Sequence, residues 1–198
     1  KYRPYGSKME QELNVILVLI RNKEMHVRAL AKAISQPHAN ISRAMKEMLK
    51  KNIVDFRIEG KNKLFRLKRG IESLNYIYMA EHFKLLKLIK KYPSISIIIE
   101  SILSKSNEKL ILIFGSFAKF NAKKHSDIDI FVETTKSDAK RELESINSRL
   151  SIKIGTFDKN NLLIKEIMKN HVIVKGVEYY YETNKNQQIN WPGFWGVK

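Results

Sequence analysis

Near the start of the chain, apolar residues recur every three or four positions. Leu13, Ile16, Leu17 and Ile20 share one side of a helix predicted over 8–21, and Val27, Leu30, Ala31 and Ile34 share one side of a second over 26–34. Ser35-Gln36-Pro37 then offers an N-cap residue and a proline suited to a first turn. A third helix is predicted to 51. Its apolar side is Ile41, Ala44, Met45, Met48 and Leu49, and its other side shows Gln36, His38, Asn40, Ser42, Arg43 and Lys46. The period then changes to two: Val54, Phe56 and Ile58 alternate with Asp55, Arg57 and Glu59, and a turn at 60–63 leads to a second strand at 64–67.

Gly70 marks a domain boundary, and 71–92 reads as one long helix with Leu74, Tyr78, Leu85, Leu88 and Tyr92 along a stripe. Such a stripe suits packing between two domains or the seam of a homodimer. Pro93 ends it, and 94–103 predicts a helix burying Ile95, Ile98, Ile99 and Ile102. An apolar run, Leu110 to Phe114, stops at Gly115-Ser116; another opens at Ser126-Asp127-Ile128-Asp129 and continues through Val132. Beyond it the pattern predicts a helix over 136–150 and a strand over 151–157. A helix capped by Asp158 then runs to 169, followed by extended segments at 171–175 and 177–181 around Gly176.

The chemistry gathers at the two middle runs. Asp127 and Asp129 are two apart on a predicted strand, so both carboxylates share a face while Ile128, Ile130 and Val132 enter the core. Two anions this close repel unless a cation sits between them. A hard divalent ion such as Mg2+ takes oxygen ligands and keeps positions open for phosphates. Gly115 has no Cβ to block the approach of a phosphate to the backbone N–H groups and the Ser116 hydroxyl. Singly these signals are weak, because Asp-x-Asp also ends solvated strands and Gly-Ser also makes plain turns.

Together, Gly115, Ser116, Ala118, Ser126, Asp127, Ile128 and Asp129 resemble the signature of the DNA polymerase β-like nucleotidyltransferase superfamily, particularly its small minimal branch in archaea and bacteria. The resemblance implies an α+β chain with a small mixed-sheet nucleotidyltransferase fold over 93–182, joined to what precedes it by a connecting helix at 70–92. It implies that Gly115, Ser116 and Ser126 hold the triphosphate of an NTP, and that Asp127 and Asp129 are catalytic and bind Mg2+ or Mn2+. A nucleoside monophosphate would then pass to an acceptor hydroxyl. Two positions depart from the pattern. Phe120 stands where Gly-Ser-x-Ala-x-Gly ends in glycine. The third carboxylate that active members carry on a later strand has no counterpart in 151–157, where Lys153 stands at about its place and would neutralise Asp127 or Asp129 by charge. Asp158 and Glu133 are the substitutes the sequence offers.

Charge changes the reading of the N-terminal part. The 198 residues carry a net +17, and over 1–70 there are 17 Lys and Arg against 6 Asp and Glu. Such a field attracts polyanions and supplies affinity for nucleic acid through counterion release; a Lys-, Ile- and Asn-rich composition alone would also raise the net charge. Three helices and a hairpin with a basic tip over 8–69 resemble a winged helix-turn-helix domain, here in an archaeal type of fusion. That resemblance implies double-stranded DNA as a partner. Gln36, His38, Asn40, Ser42, Arg43 and Lys46 would face bases, while Lys61 and Lys63, with Arg57, reach phosphates. Winged helices also dock proteins.

Without cysteine, disulfides and thiolate metal sites are excluded. The five histidines show no ligand spacing, although His125 lies in the loop before the Asp pair, where it could touch phosphate. No apolar run approaches the roughly 20 residues needed to span a bilayer, and no secretory signal is seen, so a cytoplasmic protein is expected. Residues 1–7 read as an unstructured basic lead. The tail at 183–198, with Trp191, Phe194 and Trp195, is expected to dock on the domain surface. Three functions follow: a DNA-localised nucleotidyltransferase, a DNA-binding regulator whose degenerate transferase domain binds nucleotide or a partner without turnover, and an antitoxin-like transferase that modifies a protein acceptor.

Overall fold

A computed structural model describes residues 8–183, which divide into two compact units between Ala80 and Glu81. The N-terminal lead and the Trp191–Trp195 tail lie outside the described residues. The first unit comprises α1 (Lys8–Asn22), β1 (Glu24–Met25), α2 (Val27–Ile34), α3 (His38–Lys50), β2 (Val54–Glu59) and β3 (Asn62–Leu67). The three helices follow the apolar periodicity, and Ile16, Leu30, Ile41 and Met48 are wholly buried. Ser35 does not cap α3. It closes α2 in a left-handed conformation (φ 56°, ψ 46°), and Pro37 takes the N-cap position. Gln36 therefore sits in the turn, not on α3.

β1 is too short for alternation to announce it. It pairs with β3, giving an antiparallel sheet in the order β1-β3-β2. Glu59 pairs with Asn62, so the hairpin turn is only Gly60-Lys61, with Gly60 at φ +59°, and Lys63 belongs to β3 rather than to the turn. Alternation buries Val54 and half-buries Phe56, but Ile58 is 70% exposed because the hairpin tip has left the core.

The division between units falls within α4 (Ile71–Lys91), whose Leu74 N–H donates to the Gly70 carbonyl. The second unit continues with α5 (Ile95–Lys105), β4 (Ile111–Ile113), α6 (Gly115–Ala118), β5 (Ile128–Glu133) and α7 (Ser137–Glu144). It ends with β6 (Leu150–Gly155), α8 (Leu162–Lys169), β7 (Val172–Lys175) and α9 (Val177–Thr183). The sheet is mixed, in the order β6-β5-β4-β7: β4 runs antiparallel to β5 and β7, and β5 runs parallel to β6. Ile128, Ile130 and Val132 enter one core with Leu88, Ile95, Ile99 and Ile102. On the opposite side chain parity, Phe131 meets Phe157 edge-on at 6.1 Å, and Phe157 meets Tyr180 at 5.5 Å.

Three expectations are corrected by local chemistry. The helix predicted to 150 stops at Glu144. There the Ser145 hydroxyl donates to the Glu142 carbonyl, and Asn147 Oδ1 accepts from the Arg149 N–H, so side chains compete with the helix ladder and Leu150 is released into β6. α8 is capped by Asn161, which accepts from the Leu163 N–H at 2.8 Å, and not by Asp158. The segment 177–181 is helical rather than extended. Gly176, at φ +86°, lies so close to the Lys109 carbonyl that a Cβ would stand 2.1 Å from its oxygen, and the chain turns there into α9. Among the described residues, no helix is long and apolar enough to cross a membrane.

Candidate functional site

The site is built where β4 ends beside β5. The Phe114 N–H donates to the Asp129 carbonyl at 2.9 Å, continuing the β4–β5 ladder by one bond, and the chain then turns into α6. Gly115 makes that turn at φ +66°, a conformation costly for a side chain. It also lies against Asp129: a Cβ at Gly115 would stand 2.1 Å from Asp129 Oδ2. Glycine is thus required twice, by the backbone angle and by the carboxylate. Ser116 follows within α6. Asp127 is exposed just before β5 rather than within it, and Asp129 is half-buried on β5.

Burial pushes the Asp129 carboxyl above its usual range; a hydrogen bond with Ser151 opposes this, the charge of Asp127 adds to it, and the charge of Lys153 opposes it. The parallel register sets Ser151 opposite Asp129 and Lys153 opposite Phe131. The place beside Asp129 on the neighbouring strand therefore belongs to Ser151, two residues before Lys153. Sequence reasoning missed Ser151, because nothing local to 151–157 encodes its register on β5. Glu133 stands four residues along β5 from Asp129, about 13 Å at strand spacing, and accepts from the Phe157 N–H. Asp158 closes its own turn by accepting from the Asn160 N–H. Among the described residues, no group of three or more His, Cys, Asp or Glu side chains is arranged to hold a metal ion.

The loop between α6 and β5 is held from several sides. Phe120 adopts φ +57°, the left-handed conformation that a glycine would take freely. A residue with a side chain holds this conformation at a cost of about 1 kcal/mol. Lys91 donates from Nζ to the Phe120 carbonyl, the Tyr92 hydroxyl accepts from the Ala122 N–H at 3.1 Å, and the Tyr92 ring meets Phe117 at 5.0 Å. Ser126 accepts on its hydroxyl from the Lys123 N–H at 2.8 Å, which closes the turn carrying the exposed His125.

The first unit contributes a separate feature, a groove of about 410 Å3. His38, Ser42 and Lys46 of α3 line it together with Lys61 and Lys63 of the hairpin. His26 and Arg28, from the start of α2, join them; their apolar neighbours had hidden them in the sequence. No acidic residue is among its described lining. Gln36, Asn40 and Arg43 lie outside it, Gln36 in the preceding turn and the other two on the rest of α3.

Residues 97–180 match the family model described as Polymerase beta, Nucleotidyltransferase. The matched segment contains Gly115, Ser116, Asp127 and Asp129, and it supports placing the second unit in the polymerase β-like nucleotidyltransferase superfamily. Neither the curated proteins nor the solved structures compared with the chain give a match.

Proposed function

We propose that the second unit binds a nucleoside triphosphate at Gly115, Ser116 and Ser126 and transfers its nucleoside monophosphate to an acceptor hydroxyl. The observation that carries this reading is the approach of Gly115 to Asp129, whose carboxyl also feels the charge of Asp127. The donor set fits one hard cation. Asp127 and Asp129 offer carboxylate oxygens, burial and then the Asp127 charge push the Asp129 carboxyl up in the absence of a cation, and substrate phosphates would fill the remaining positions. Mg2+ or Mn2+ held there would polarise a phosphoryl oxygen. The chain's own part is to orient the triphosphate on the Gly-Ser turn. A bond then forms from the acceptor oxygen to the α-phosphorus as the bond to pyrophosphate breaks, and the acceptor proton leaves to water, since β6 supplies no carboxylate.

The test is incubation with labelled triphosphates, Mg2+ or Mn2+, and DNA, RNA or protein acceptors. Label transfer is expected, and Asp129→Asn should abolish it; absence of triphosphate binding by calorimetry with metal present would refute the reading. One observation favours a second version: Ser151 beside Asp129, with the Lys153 charge close by, suits a domain that binds nucleotide without turnover. In that case triphosphate binds and no acceptor is labelled.

The first unit, on the same proposal, is a winged helix-turn-helix that carries the enzyme to double-stranded DNA in the cytoplasm. The basic groove between α3 and the hairpin supports it, because phosphates would meet Lys46, Lys61 and Lys63 with no carboxylate opposing them.

A further inference from the structure

Asp127 lies in a loop, yet its flanks are fastened on both sides to one residue. Arg149 donates from Nε and Nη2 to the Ser126 carbonyl, at 3.2 and 2.7 Å, and its own carbonyl accepts from the Ile128 N–H at 2.8 Å. The residue before Asp127 is thus held by the Arg149 side chain and the residue after it by the Arg149 backbone. The guanidinium is half-buried and stands 5.9 Å from the centre of the Phe117 ring, which belongs to α6. Phe117 itself is buried in the core under the site. One planar cation therefore joins the Gly-Ser turn, through Phe117, to the backbone that presents Asp127. Arginine suits this work better than lysine, because its rigid fork can give two hydrogen bonds to one acceptor while its charge lies near an aromatic ring.

We propose that Arg149 is the positioning residue for Asp127: it fixes the Ser126–Ile128 backbone so that the exposed carboxylate stays beside Asp129. The proposal rests on the nucleotide-binding reading of this site. A cation shared between Asp127, Asp129 and a triphosphate depends on both carboxylates being placed, and Asp127 has no strand of its own to place it. Arg149 acts through the backbone and touches no substrate.

The experiment uses the full chain with Arg149→Ala and Arg149→Lys, and Lys140→Ala as a control that removes one positive charge from α7. Mn2+ with each of the four nucleoside triphosphates is titrated, and amide hydrogen exchange is followed by residue. Arg149→Ala should weaken binding of the Mn2+–triphosphate pair about 10- to 100-fold, as loss of an outer support to a metal ligand does. Arg149→Lys should fall between it and wild type, and Lys140→Ala should match wild type. Exchange should quicken at 127–129 in the Arg149 variants while Ile113 and Val172, elsewhere in the sheet, keep their protection. Equal quickening across the sheet would show a general structural role and overturn the proposal, as would wild-type affinity in Arg149→Ala. Should Arg149→Ala not fold, Arg149→Lys carries the same comparison. If wild type binds no triphosphate, the nucleotide reading falls by itself, and local exchange then decides the positioning: unchanged exchange at 127–129 overturns it, and local quickening upholds it.

Discussion

Gly60 and Gly115 look alike in the chain, each coming just after a strand and each adopting a positive φ, +59° and +66°. Around Gly60 a Cβ would meet nothing within 4 Å, whereas at Gly115 it would strike Asp129 Oδ2. The first glycine serves only the geometry of a two-residue hairpin. The second serves that need and also yields space to a carboxylate from another strand. A glycine whose missing side chain would collide with a charged group marks a site; one that points into open space marks a turn.

The largest test of this contrast is Gly115→Ala, which must displace Asp129 or the α6 turn. Triphosphate binding and label transfer should fall by at least about 100-fold, the order expected when a reacting group is shifted by about 1 Å; wild-type transfer in that variant would refute the contrast. The next effect belongs to the groove of the first unit. Lys46→Ala and Lys61→Ala should each weaken duplex DNA binding several-fold and reduce the slope of log affinity against log salt by about 1. Arg43→Ala, outside the groove, should matter less. If none of the three changes binding, the first unit docks proteins instead. Gly60→Ala should cost about 1 kcal/mol, the strain of a left-handed residue, seen as a lower unfolding temperature with transfer unaffected.

The smallest effect concerns pH. Burial holds the Asp129 carboxyl above its ordinary value of 3.8, so ionisation of this group works against the folded state. The stability held by the protonated form is complete below 3.8 and is lost as pH rises through the raised value. Without divalent ions, Asp129→Asn should therefore raise the unfolding temperature near neutral pH, and the gain should shrink toward zero in acid. A gain that persists unchanged in acid would contradict the assignment.

Most of this architecture was legible in the sequence, because amphipathic periodicity reports which side of an element is buried. The helices of the first unit, the hairpin, and Ile95, Ile98, Ile99 and Ile102 of α5 follow it closely. What was hidden depends on partners distant in sequence or on side chains that compete with the backbone. β1 exists only by pairing with β3, α7 stops where Ser145 and Asn147 bind the backbone, and α9 follows a turn forced by Gly176 against Lys109. The carboxylate pair and the Gly-Ser turn were visible because they are local motifs. Ser151 was not, since its place beside Asp129 is a matter of parallel register, and neither was Arg149, whose grip on Ser126 runs from the residue before β6 to the loop before β5.

The position of β6 has one more consequence. It is one of the two edge strands of the sheet among the described residues, bonded to β5 on one side, and Lys153 is exposed upon it. The Ile152 N–H is met by Glu144 Oε1 at 3.3 Å. An edge strand with free backbone groups invites the addition of a strand from another molecule, and a lysine there discourages it by having to bury its charge. A hydrophobic replacement of Lys153 is therefore expected to promote self-association, measured by light scattering, even where nucleotide binding survives.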